Sequence, residues 1–96
     1  MRIERINIEW TEWSIQHIAR HGVKTFEVEG CLFDDEPIVM RSQQKKQDRY
    51  IVLCQCPHGR YLLVVISKPD SQGYVRVITA RDMTKRERRL YEERRR

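Results

Sequence analysis

The stretch RYIVLCQCPHGRYLLVVIS, residues 49–67, decides the fold. Two runs rich in Val, Ile, Leu and Tyr, Arg49 to Cys56 and Arg60 to Ser67, flank Pro57-His58-Gly59. Such residues suit a pleated, partly buried surface. So short a connection joins antiparallel neighbours, because a parallel crossover needs a dozen or more residues. Ile38 to Arg41 and Tyr74 to Ala80 repeat the pattern on either side, the latter after the polar turn Pro69-Asp70-Ser71-Gln72-Gly73. A four-stranded antiparallel meander is predicted.

Toward the N-terminus the apolar period changes from 2 to 3.6. Thr11 is placed to cap a helix from Glu12 to His21, with Ile15, Ile18, Ala19 and Gly22 at the i, i+3, i+4, i+7 spacing of one buried stripe. Gly22 supplies a left-handed stop. Thr25 is expected to cap a second helix from Phe26 to Phe33, with Phe26, Gly30 and Phe33 on one side, before Asp34-Asp35-Glu36-Pro37 closes it. Together they predict an N-terminal helical hairpin. At the other end Thr84-Lys85-Arg86-Glu87 has the form of a capping box. It opens a C-terminal helix whose Met83, Leu90 and Tyr91 are available to dock on the sheet. The expected class is α+β in a single domain, residues 1–96, with the helices against one face of the sheet.

Length and composition narrow the function classes. Ninety-six residues and 11.7 kDa fit one small core, and 40% hydrophobic with 34% charged residues exclude disordered and fibrous chains. The longest apolar run, Tyr61 to Ile66, is far short of the ~20 residues of a membrane-crossing helix, and Met-Arg-Ile-Glu-Arg is too charged for a signal peptide. A cytoplasmic protein with no membrane partner and three reduced cysteines is expected. Charge is uneven: residues 1–36 carry four Lys/Arg against eight Asp/Glu, residues 37–80 seven against two, and residues 81–96 eight against four. An isolated charge run is ordinarily a solvated surface. Here the basic part is also the strand-rich part, which favours a face that meets a polyanion or an acidic protein partner.

The residues that carry chemistry have competing readings. Cys54, Cys56 and His58, with Cys31, are soft ligand types, but structural zinc sites take paired ligands two to four residues apart from each of two loops. Cysteines at i and i+2 in an apolar strand are more often small buried hydrophobes, so no metal or cofactor is expected. Trp10 and Trp13 flank the first cap, as base-stacking platforms or as core and interface residues. No Gly-rich phosphate loop, nucleophile elbow or His-Glu-x-x-His helix is present.

What remains is Arg20-His21 closing the first helix, Asp48-Arg49 opening the second strand, Arg60 opening the third and Arg81 ending the fourth. RNA cleavage without metal needs a base for the 2′-hydroxyl proton, fixed cations for the phosphorane and an acid for the 5′-oxygen. Arg49, Arg60 and Arg81 can clamp phosphate but are poor bases, the His21 imidazole can take or give a proton, and Asp48 can orient or accept. Arg20, His17, Lys45, Lys46 and Arg76 are the accompanying RNA-binding candidates. The competing reading of His21 is a helix-end residue that favours the dipole. Whether His17 or His21 faces the site stays open, since they lie four residues apart on one helix side.

Trp10, Arg20-His21-Gly22-Val23, Phe33-Asp34-Asp35, Asp48-Arg49, Gly59-Arg60-Tyr61-Leu62-Leu63-Val64-Val65, Arg76-Val77-Ile78-Thr79-Ala80-Arg81 and Glu87-Arg88-Arg89-Leu90-Tyr91 occur in that order. From about Ile8 to Glu93 the chain resembles the BrnT family, ribonuclease toxins of type II toxin–antitoxin systems. The resemblance implies a RelE-like fold, metal-independent endoribonuclease activity and growth arrest. It also implies neutralisation by a cognate DNA-binding, BrnA-like antitoxin, with operator DNA met only through that antitoxin, and leaves a homodimer and a heterotetramer open. The family's basic-His pair falls on Arg20 and His21, its acidic-Arg pair on Asp48 and Arg49, and its two strand-end arginines on Arg60 and Arg81. The chain departs from the pattern where Arg20 replaces Lys, where Asp48 replaces Glu, and where Cys54-Gln55-Cys56 replaces Gly-x-Ser; the hairpin from Lys68 to Gly73 is also longer. The competing readings are a catalytically inactive module that binds RNA or antitoxin on the same basic surface, and a purely structural subunit.

Overall fold

The computed structural model describes residues 6–33, 36–42 and 48–94. Its elements run β1 (Asn7–Ile8), α1 (Glu12–Ala19), α2 (Thr25–Leu32), β2 (Ile38–Arg41), β3 (Arg49–Gln55), β4 (Tyr61–Ser67), β5 (Tyr74–Val75), β6 (Val77–Asp82) and α3 (Lys85–Arg94). The class is α+β, as the sequence predicts. β2, β3, β4 and β6 form the antiparallel sheet in that spatial order, with Arg49 opposite Ser67 and Gln55 opposite Tyr61.

The last strand is broken at Arg76. The Ser67 N–H donates to the Arg76 carbonyl at 2.9 Å, the Arg76 N–H donates to Ser67 Oγ at 2.8 Å, and the register shifts between Val65 and Ile66. Tyr74–Val75 turns away to pair in parallel with β1. Two residues are too few to show alternation, so β1 has no sequence signature.

Strand alternation splits the core into two layers. Val52, Cys54, Leu62, Val64, Ile66 and Ala80 face α1 and α2, where they meet Ile18, Val23, Val28, Cys31 and Leu32. Leu53 and Leu63 face the other way, onto buried Tyr91 of α3, with Ile51, Val65 and Leu90 around them. The expectation of all helices on one face is thus corrected: α3 covers the opposite side. The physical reason is visible in the unbroken apolar run 61–66, the mark of a strand buried on both faces.

α1 begins as predicted, with Thr11 Oγ1 accepting from the Ser14 N–H at 3.1 Å and Ser14 Oγ accepting from the Thr11 N–H at 3.0 Å. It ends earlier, at Ala19, and Gly22 then takes a left-handed φ of 70°. The buried stripe also differs. Ile15, Ala19 and Gly22 are exposed, whereas Ser14 and Ile18, followed by Val23, are buried. For α2 the N-cap is Lys24 rather than Thr25. Phe26 and Phe33 do share a side with Gly30, but it is the outer side, where the two rings are 62% and 51% exposed. A Cβ at Gly30 would come within 2.9 Å of Pro57 Cδ, so α2 lies hard against the turn between β3 and β4. The capping box of α3 forms as predicted: the Thr84 N–H donates to Glu87 Oε1 at 2.9 Å and the Glu87 N–H to Thr84 Oγ1 at 3.2 Å. No helix among the described residues is long and apolar enough to cross a membrane.

Candidate nucleic-acid interface

The turn between β3 and β4 is closed by the Cys56 N–H donating to the Arg60 carbonyl at 2.7 Å and the Gly59 N–H donating to the Cys56 carbonyl at 2.8 Å. Gly59 sits at φ 105°, which an L side chain rarely adopts. This geometry sends Arg60 toward the α1–α2 connection. Its Nε and Nη2 donate to the two oxygens of Asp82 at 2.7 and 3.2 Å, and its Nη1 donates to the Gly22 carbonyl at 2.9 Å and to both oxygens of Glu27 at 3.1 Å.

Glu27 is 7% exposed and is the centre of the cluster. Besides Arg60, it accepts the Lys24 N–H at 3.0 Å and contacts His58 Nε2 at 3.1 Å. Burial pushes its carboxyl up, but the Lys24 N–H, the Arg60 guanidinium and His58 outweigh that and hold it below the ordinary glutamate value. The hydrogen bond from Arg60 likewise lowers Asp82. Beside it, Arg81 makes a two-pronged pair with Glu87 at 2.8 and 2.9 Å and also donates to the Asp82 carbonyl at 3.1 Å. Arg60 and Arg81 therefore meet at one residue, Asp82, from opposite faces of the sheet.

Arg20 is the C-cap of α1, and His21 is the exposed residue immediately before the carbonyl that Arg60 holds. His17 stacks on Trp13 at 4.8 Å between ring centroids and meets His21 edge-on at 5.8 Å, so three rings line one side of α1. Trp13 lies on the surface, whereas Trp10 packs against the core and its Nε1–H donates to Glu29 at 2.8 Å.

The remaining candidates stand elsewhere. Arg49 pairs with Ser67 at one end of the β3–β4 hairpin while Arg60 sits at the turn, about 20 Å away at some 3.3 Å per residue. Arg49 also shares the strand face of Ile51 and Leu53, toward α3. Asp48 binds Arg41 at 2.9 Å and Lys68 at 3.4 Å, and Arg76 lies 3.9 Å from Glu9. Although desolvation alone would raise Asp48, the two cations hold its carboxyl below the ordinary aspartate value. The structure thus groups Arg20, His21, Arg60 and Arg81 at the turn end and sets Asp48, Arg49 and Arg76 at the far end. Asp48 and Arg49, read from the sequence as partners of His21, Arg60 and Arg81 at one phosphate, are not brought to them by the fold. Lys45 and Lys46 lie outside the described residues, as do Asp34 and Asp35.

Sequence reasoning missed the roles of Glu27 and His58 in this cluster. A signal existed for Glu27, which stands three residues after Lys24 at the spacing of a capping box. In the sequence His58 stands out only beside the cysteines, as a soft ligand type. Those thiols, Cys31, Cys54 and Cys56, are free and buried, and burial raises Cys56 to about 12.

The chain matches no curated protein in a sequence comparison. Residues 10–87, most of the chain, match the family model described as "Ribonuclease toxin, BrnT, of type II toxin-antitoxin system". That span takes in both ends of the sheet, the Arg20-His21 segment, Arg60 and Arg81. The chain belongs to the BrnT family of ribonuclease toxins, for which RNA is the substrate and an antitoxin the partner.

Proposed function

We propose that this protein is a metal-independent endoribonuclease that cleaves RNA by attack of the 2′-hydroxyl on the adjacent phosphate, giving a 2′,3′-cyclic phosphate and a 5′-hydroxyl. The observation that carries the reading is the Arg60 link to the Gly22 carbonyl, which fastens the Arg20-His21 segment beside a fixed guanidinium. His21 is the proton-transferring group, and Arg20, which has no carboxylate partner among the described residues, is the cation nearest to it in sequence. Arg60 and Arg81 shape the phosphate site. At the far end Arg49 and Arg76, with Asp48 positioning Arg41 and Lys68, hold the RNA several nucleotides away; Lys45 and Lys46 remain RNA-binding candidates on the sequence alone. His17 lies beside the strand as it passes α1. A BrnA-like, DNA-binding antitoxin in the cytoplasm covers this surface, and only through it does the toxin meet operator DNA.

The test is incubation of the purified, antitoxin-free protein with total RNA in EDTA. Cleavage with cyclic-phosphate ends is expected, and intact RNA at micromolar protein overturns the proposal.

One observation favours a second reading. Arg60 and Arg81 are both engaged by carboxylates, as in a structural ion-pair network, which suits a module that binds RNA or antitoxin without cutting. That module predicts no growth arrest on overexpression. Arrest that His21→Ala relieves would exclude it.

A further inference from the structure

The cleavage proposed above moves two protons at one phosphate, and His21 accounts for one of them. Arginine cannot supply the other, because it stays protonated. Asp48 is at the wrong end of the sheet. On the Arg60 cluster the described residues hold one imidazole, that of His58 in the turn that follows β3.

We propose that His58, oriented by Glu27, is the general base of the reaction, with His21 as the acid; this rests on the ribonuclease reading above. His58 Nε2 is 3.1 Å from Glu27 Oε2, and its side chain is 53% exposed while that of Glu27 is 8% exposed. An ionised carboxylate only accepts, so Nε2 carries the hydrogen and the lone pair is left on Nδ1. Glu27 cannot swing away, because the Lys24 N–H and Arg60 Nη1 hold it from two other directions. A buried, fixed carboxylate behind a surface imidazole sets the tautomer and steadies the imidazolium that forms when Nδ1 takes a proton. Among the described residues no such arrangement backs His17, whose ring neighbours are Trp13 and His21.

The two histidines are tied to the same frame. From His58 a hydrogen bond leads to Glu27, a second to Arg60 and a third to the Gly22 carbonyl, next to His21. The groups facing the pair are Glu27 from α2, Arg60 just before β4, Asp82 from β6 behind that guanidinium, the Cys56 thiol, which donates to the Glu27 carbonyl at 3.4 Å, and His17 of α1, edge-on to His21 at 5.8 Å. Arg60 has five N–H bonds and, among the described residues, commits its Nε, both of Nη1 and one of Nη2, which leaves one Nη2 N–H for a phosphate oxygen. In the reaction, His58 Nδ1 takes the 2′-hydroxyl proton as that oxygen bonds to phosphorus. The bond from phosphorus to the 5′-oxygen breaks, and the His21 imidazolium gives its proton to the departing oxygen. Water restores both imidazoles.

The experiment is steady-state cleavage of a defined single-stranded RNA by wild type, His58→Ala and His58→Gln, each checked by thermal unfolding. Expected is a fall in kcat on the order of 100-fold or more with little change in KM, loss of the limb of the kcat/KM profile that reports the base, and partial recovery of His58→Ala with added imidazole. Wild-type cleavage matched within about twofold by a folded His58→Ala, with the same pH profile, overturns the proposal and leaves the ribonuclease reading standing. A wild type that cuts nothing overturns both.

Discussion

The two ends of the sheet hold similar charges in different ways. At the turn end Arg60 makes contacts to the α1–α2 connection, to α2 and to β6, around a carboxylate that is almost fully buried. At the far end Arg41, Lys68 and Arg76 reach Asp48 and Glu9 through single contacts of 2.9 to 3.9 Å between side chains that are 41% exposed or more. Exposed pairs of the second kind contribute little to stability and weaken with salt. Breaking one partner of the first kind leaves an uncompensated buried charge. One end is built to keep a geometry, the other to present charge.

The sharpest way to break this contrast is Glu27→Ala, which strips Arg60, His58 and the Lys24 N–H of their common acceptor. A loss of about 3–5 kcal/mol is expected in urea unfolding; a loss under ~1 kcal/mol would show that the cluster is no more than a surface pair. Gly30→Ala comes next. The added methyl meets the Pro57 ring, and overpacking of about 1–3 kcal/mol is expected, together with reduced RNA cleavage because the turn that carries His58 and Arg60 is displaced. Arg81→Ala removes a fork to Glu87 that is partly exposed, so after allowance for solvent screening about 1 kcal/mol is expected in the same assay.

Acid sharpens the comparison further. Glu27 has a folded-state value below its unfolded one, so its stabilisation is complete above the unfolded value and disappears as pH falls through the folded one. Wild type is expected to lose stability steeply below about pH 4, and Glu27→Gln to start lower and flatten that dependence. Equal slopes for the two proteins would contradict the assignment. Smallest of all is Arg49→Ala, expected to leave the melting temperature in place while RNA binding weakens and its salt dependence falls by about one unit of slope.

Period-2 runs around residues 57–59 made the meander legible, and the Thr84–Glu87 spacing made the start of α3 legible. The sides of the helices were not, because apolar residues at helical spacing do not say which of two apolar sheet faces they cover, and Ile15 and Phe26 turned outward. Residues equally distant from the turn must pair, so Arg49 and Arg60 belong at opposite ends whatever their shared chemistry. Glu27 was hidden by the choice of Thr25 over Lys24 as cap: a one-residue shift turned a helix-start carboxylate into an anonymous one.

Arg60 works as the keystone of an arch, since one planar group locks the 22–27 stretch and the end of β6 to the turn that carries it. A keystone cannot be borrowed without risk to the arch. An inhibitor side chain that captured this guanidinium would disarm the protein twice, by loosening its frame and by taking the donor proposed for phosphate.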